Sequence, residues 1–213
     1  YDRAMKISSK GYPGLDVSEA ETEKVLRGSK EGFCDSVKTN AALVRKRIRD
    51  TRLKVEQQNI GVRSNTVVQL LYVEDLVHEE LLIAVKERLE SFTVDGILDS
   101  GMLEQLTEDS WFSPFPQYQT TERPDRAAQE ILNGKAVLLC DNSPSALILP
   151  GVFHSFMESS EDWYNRFEMT SFLCVLRYLA MAVATLLPGL YLAVIRFHTQ
   201  ILPANLILSF AQA

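Results

Sequence analysis

The chain has 213 residues, 46% of them apolar, which is enough for a hydrophobic core and too many for a disordered tail. All 28 acidic side chains precede Thr170, after which the only charges are Arg177 and Arg196, and this acidic soluble part argues against nucleic acid as a partner. Cys34, Cys140 and Cys174 are odd in number and lack C-x-x-C or metal-ligand spacing, so a reducing compartment without structural zinc is expected.

Neither end reads as a natural terminus. Tyr1-Asp2-Arg3-Ala4-Met5-Lys6 has neither the basic nor the apolar part of a signal peptide, and the chain closes on Ile207-Leu208-Ser209-Phe210 without a polar tail. The expectation is a segment of a longer protein.

The first periodic element is Glu31–Asp50, where Phe33, Val37, Ala41, Val44 and Ile48 recur at helical steps. Its end carries Arg45, Lys46, Arg47 and Arg49, read either as a solvated basic helix end or as a contact for an anion or lipid headgroup. Leu53–Ile60 is a strand candidate, Gly61–Asn65 a turn, and Thr66–Val73 a continuous β-prone run suited to a buried strand. A helix follows at Glu79–Glu90, and a shorter one at Gly101–Asp109, capped by Asp99 or Ser100. Together residues 31–111 predict a mixed α/β subdomain.

Ser113-Pro114-Phe115-Pro116 breaks both periodicities, so residues 112–123 are expected to form a linker or crossing segment. Residues 124–158 predict a helix opening at Pro124 and ending at Asn133-Gly134, then a hairpin of two apolar strands, Ala136–Asp141 and Ser145–Leu149. The Ser159-Ser160-Glu161-Asp162 pattern is a capping box that starts a juxtamembrane helix over 159–170, with Trp163, Tyr164 and Phe167 as an interfacial aromatic belt and Arg166 among them.

That helix is expected to run into a transmembrane helix over 171–196. Tyr178–Ile195 is uncharged and mostly apolar, long enough to cross ~30 Å of hydrocarbon, and bounded by Arg177 and Arg196. Arg177 must either snorkel to the interface or meet a partner. Pro188-Gly189 inside the span points to a helix bundle, because neighbours can satisfy the freed carbonyl. Residues 197–213 would begin a further membrane or loop segment. The fold class expected is thus α/β (α+β), with small mixed-sheet subdomains joined by a proline-containing linker and followed by a transmembrane helix.

Catalytic chemistry is hard to find. His78, His154 and His198 have no partner at metal-ligand spacing, and phosphate-cradling glycine loops and nucleophile elbows do not occur. Asp95-Gly96-Ile97-Leu98-Asp99-Ser100-Gly101 places two carboxylates near glycines but has too few ligands for an EF-hand loop. No cofactor is implied, and an enzyme is not the expectation.

Several long runs carry a resemblance: RDTRLKVE (49–56), DGILDSG (95–101), FSPFPQYQTTERPD (112–125), SSEDWYNRF (159–167) and LRYLAMAVATLLPGLYLAV (176–194). Over residues 32–213 the chain resembles the A subunits of GerA-type spore germinant receptors. The resemblance implies a component of a nutrient-gated complex in the bacterial spore inner membrane, with a permease-like B subunit and a lipoprotein C subunit as partners and membrane lipid around the spans. It also implies a homo-oligomer that conducts or gates ions, with the soluble region facing the spore core. Residues 1–30 then look like the tail end of a preceding subdomain. Pro114, Phe115, Pro116, Arg123 and Asp125 fall in the coupling segment, while Trp163, Tyr164, Arg166, Phe167, Arg177 and Pro188 fall at the junction and span. Cys174 stands where the family pattern leads one to expect arginine, and Asn142 where glycine is common. A sensor whose soluble part itself binds a small molecule is the alternative.

Overall fold

A computed structural model describes residues 17–20, 22–25, 28–110, 112–113, 115–159 and 161–197. Pro114, the capping-box Ser160, most of the expected tail before residue 17 and the segment after residue 197 lie outside the described residues. The chain divides into two compact units, one ending at Phe156 and one beginning at Met157.

The first unit is built on one antiparallel sheet. Strands β1 (Leu53–Ile60) and β2 (Thr66–Val73) form the expected hairpin, with Leu53 opposite Val73 and Ile60 opposite Thr66. Its turn closes at Gly61 and Asn65, whose φ values of +92° and +49° suit glycine and asparagine better than other residues. Strands β4 (Ala136–Cys140) and β5 (Ala146–Leu149) form the second expected hairpin, and its turn also uses a left-handed residue, Asn142 at φ +63°. Asparagine therefore serves where glycine is the common choice.

The expected division into two subdomains differs from what forms. β2 pairs directly with β4, Val68 opposite Cys140 and Leu71 opposite Val137, so strands from both sides of the proline-rich segment share one five-stranded sheet in the order β1-β2-β4-β5-β3. Gln119–Thr121, inside the expected 112–123 linker, is its edge strand β3, pairing with β5. The reason is burial. β2 and β4 are apolar on both faces, and a lone two-stranded hairpin is marginal in water, so the two apolar strands pair in the interior of the sheet.

Helices cover both faces. Val137 and Leu139 of β4 point to a core shared with α1 (Val37–Arg47) and α4 (Pro124–Leu132), whereas Ala136, Leu138 and Cys140 point to α2 (Glu79–Glu90) and α3 (Ser100–Thr107). The two hairpins, α2 and the proline-led start of α4 fall where periodicity predicts them. Helix α1 starts six residues late. Asn40, fully buried, accepts from the Cys34 N–H at 2.8 Å and donates to its carbonyl at 2.6 Å, which holds residues before Val37 in an irregular turn. Asp141 then accepts the otherwise unpaired Val37 N–H at 3.1 Å.

The second unit contains α5 (Phe167–Phe197), 31 residues long and long and apolar enough to cross a membrane. The expected continuous helix from Ser159 does not form. A 3-10 turn at Asp162–Tyr164 is followed by extended backbone at Asn165, and α5 begins only at Phe167. The capping-box bond from the carboxylate does form, Asp162 accepting the Ser159 N–H at 2.8 Å, but it closes a 3-10 turn: the Asp162 carbonyl accepts from Thr170 Oγ1 at 3.1 Å, and its carboxylate oxygens accept from Arg177. These bonds fold the turn back along the first turns of α5 instead of extending the helix.

Candidate functional site

One buried charge, Arg123, lies where the N-terminal segment seats on the domain. Glu19 pairs with Glu31 in an isolated antiparallel bridge, and Gly32 N–H donates to the Ser18 carbonyl at 2.6 Å. The strap so formed is held by Arg123, which is only 2% exposed although it carries a full charge. Its guanidinium donates to both Asp125 oxygens at 3.1 and 2.6 Å, to the Glu23 carbonyl at 3.3 Å and to the Ser29 carbonyl at 3.1 Å. Glu23 in turn accepts from Arg126 at 2.6 Å and from Thr121 Oγ1 at 2.5 Å. A planar fork suits this task because it meets a carboxylate bidentately and still reaches two carbonyls.

The basic end of α1 serves the same strap. Lys46 and Arg47 donate to the two oxygens of Glu31 at 2.7 and 2.8 Å, and Arg47 also reaches Ser29 Oγ at 2.9 Å. These hydrogen bonds hold the Glu31 carboxyl below the usual range. Arg49 turns back to the Lys46 carbonyl. Of the two readings of Arg45, Lys46, Arg47 and Arg49, the geometry thus gives Lys46 and Arg47 an internal partner.

Gly32 has no room for a side chain, since a Cβ there would stand 2.9 Å from Ala20 N and 3.0 Å from Ser18 O. Gly32→Ala is expected to push the strap off its bridge at a cost of about 1–3 kcal/mol. Limited proteolysis should then cut between Val17 and Lys30 faster than in the parent chain, with an unchanged rate sinking the assignment.

Beside the strap lies a polar cavity of about 390 Å³, lined by Thr22, Glu23, Asp99, Ser100, Thr121 and Ser145 among others. Behind it three hydroxyls form a closed triangle: Ser100 to Ser145 at 2.8 Å, Ser143 to Ser100 at 2.9 Å and Ser143 to Ser145 at 3.1 Å. Asp99 caps α3 through the Gly101 N–H at 3.3 Å. Burial raises the Asp99 carboxyl, but hydrogen bonds from Ser143 and from the Ser100 and Gly101 backbone outweigh it and hold it below its ordinary value. Asp95 does separate work, its carbonyl accepting the Arg63 and Ser64 N–H groups under the β1–β2 turn. Among the described residues no three His, Cys, Asp or Glu side chains gather to hold a metal.

Cys140 is buried behind this cluster, and desolvation together with Asp99 and Asp141 pushes its thiol up to about 12. Cys140 should therefore resist alkylation at pH 8 in the folded chain and react only on unfolding. Iodoacetamide labelling followed by peptide mass analysis checks this.

At the second junction Arg177 meets a partner. It donates to Asp162 through both terminal nitrogens and to the Met157 carbonyl at 3.0 Å. Burial raises Asp162, yet hydrogen bonds from Arg177 and the Ser159 N–H outweigh it and hold the carboxyl below its ordinary value. Trp163 is half exposed, and Arg166 and Phe167 are exposed beside it. Pro188 lies within an unbroken α5. Phe115 and Pro116 are exposed, so they hold no core together.

Periodicity missed Glu23, Arg126 and Ser143, and placed Asp162 only as a cap. The alternating charges of Glu122-Arg123-Pro124-Asp125-Arg126 are the signal that was available for Arg126. The family model described as Bacillus/Clostridium GerA spore germination protein matches residues 1–213. The chain belongs to the GerA family. It is 38% identical over its full length to the uncharacterized membrane protein YfkQ of Bacillus subtilis, covering 42% of that protein. It is 36% identical to spore germination protein KA of Bacillus subtilis, over 99% of this chain and 39% of that protein. Spore germination protein GerLA of Bacillus cereus is also 36% identical, over 99% of this chain and 43% of that one. The GerA chain studied thus spans about two fifths of the length of these relatives. Among solved structures, the N-terminal domain of the A subunit of the Bacillus megaterium spore germinant receptor GerK3 matches at 37% identity with a TM-score of 0.47, over 57% of this chain and 97% of that one.

Proposed function

We propose that this chain is the coupling part of a germinant receptor A subunit, a non-enzymatic component that links germinant recognition to ion release across the spore inner membrane. Family membership over the whole chain supports a role in germination. The observation that carries the coupling role is that ten residues after the domain's last turn the chain enters a 31-residue apolar helix. On this reading the soluble unit faces the spore core, and the permease-like B subunit and lipoprotein C subunit are the partners. On the same reading the intact receptor is a homo-oligomer.

The strap held by Arg123 and Asp125 is the input side of the coupling, and the Arg177–Asp162 junction is the output side. A ligand drives such a device only by binding its two arrangements with different affinity. Co-purification of the full chain with B and C subunits, followed by conductance measurement in liposomes with and without nutrient, tests the proposal. Nutrient-dependent conductance that disappears when this chain is omitted is the expected result, and conductance indifferent to its presence defeats the reading.

The polar cavity favours a second reading, in which the soluble unit is itself a sensor for a small polar molecule. Thermal stabilisation of the purified chain by an amino acid or sugar, lost in Asp99→Asn, would select it. Nutrient-dependent conductance without such stabilisation would select the coupling reading.

A further inference from the structure

Helix α5 is too long for the bilayer it is read as crossing. Its 31 residues extend about 46 Å at 1.5 Å per residue, so fitting all of them within ~30 Å of hydrocarbon needs a tilt near 50°, beyond the ~40° limit of known spans. The eighteen uncharged residues Tyr178–Ile195 extend about 27 Å and match the hydrocarbon without tilting.

A second observation bears on the same boundary. Arg177 is tied to Asp162 and to the Met157 carbonyl, and Thr170 Oγ1 to the Asp162 carbonyl. The polar run Met157–Asp162 therefore lies beside the stretch of α5 from Thr170 to Arg177. That run carries Glu158 and Glu161 as well as Asp162, and among its described residues none before Asp162 is helical. Carboxylates and irregular backbone do not sit in hydrocarbon facing lipid. Wherever the run goes, the membrane core must stop short of it.

We propose that the hydrocarbon boundary falls at Arg177, that the Asp162–Arg177 clamp sets it there, and that Phe167–Leu176 stands outside the hydrocarbon as a collar that crosses the lipid headgroup layer. The exposed Phe172 then lies in the headgroup layer next to that boundary, and the exposed Phe167 and Met169 lie farther from the hydrocarbon. The inference rests on the reading of α5 as a membrane span.

The test is a cysteine scan of the full chain in native membrane vesicles, with Cys174→Ala as background and Cys34 and Cys140 left in place as buried thiols. Met169→Cys, Phe172→Cys and Val175→Cys probe the collar; Leu179→Cys, Val183→Cys and Leu186→Cys probe the span. N-ethylmaleimide crosses membranes but alkylates the thiolate, which forms only where water reaches. The collar positions should label at least about tenfold faster than the span positions until detergent is added. Protection of 172 and 175 equal to that of 183 would overturn the boundary while leaving the span intact. Free labelling of 183 and 186 in intact vesicles would instead remove the span itself. In the Arg177→Leu background positions 172 and 175 should become protected, because the charge is gone and the polar run is released; unchanged labelling there would overturn the role given to the clamp.

Discussion

Arg123→Ala is expected to destabilise the soluble unit by about 3–5 kcal/mol, among the largest effects of any single polar substitution in the chain. The guanidinium is 2% exposed and satisfies Asp125 and two strap carbonyls at once. Removing it takes a donor from the Asp125 carboxylate and from each of the two strap carbonyls. Asp125 is 17% exposed and keeps some water, which places the expected loss at the lower end of that range, near 3 kcal/mol. For a unit of this size the melting temperature should fall by roughly 6–12 °C. Arg123→Lys should recover less than half of the loss, because a single ammonium cannot meet a carboxylate with two parallel bonds and also reach both carbonyls. Adding Asp125→Asn to Arg123→Ala should restore part of the stability, since part of the penalty is an uncompensated buried charge. A melting temperature within 2 °C of the parent for Arg123→Ala, a loss of at most about 1 kcal/mol, would show that the strap does not depend on it.

This network also shows why reading the sequence went as far as it did. Val68, Leu70 and Leu138 announce buried strands because apolar runs of that length have few other uses, and Pro124 and Asn133-Gly134 bracket a helix through backbone constraints that are local. Which strand pairs with which is not local. β2 and β4 are separated by three helices and the proline-rich segment, so two separate sheets and one shared sheet have the same periodicity. Gln119-Thr120-Thr121 is three polar residues long and becomes a strand only because β5 offers an edge. Asn40 and Asp141 delay α1 through side-chain bonds that no spacing rule anticipates. At the junction, Arg177 stands out as a charge that needs an answer, but that Asp162 supplies it depends on a turn folding back. Membership of the GerA family was legible from the resemblance of long runs and not from any catalytic or metal-binding spacing, because the packing and charge pairs of the candidate site are ones that every domain also uses.

Leu138→Ala and Leu139→Ala are each expected to cost about 2–5 kcal/mol, and their sum is the informative quantity. The two side chains are adjacent in β4, 1% and 0% exposed, and belong to different cores: Leu138 to the one under α2 and α3, Leu139 to the one under α1 and α4. Alternation along the strand sends them to opposite faces of the sheet, so no cavity is shared. Two cavities without common walls relax independently. The double variant should therefore lose the sum of the single losses to within about 0.5 kcal/mol, measured by denaturant unfolding with the slope held common. Two separate subdomains would give a different pattern, because unfolding would then occur in two transitions, only one of which would contain β4. A single transition that moves by the summed amount in the double variant is what one shared sheet requires, since β2 cannot keep its inner edge paired once β4 has left it.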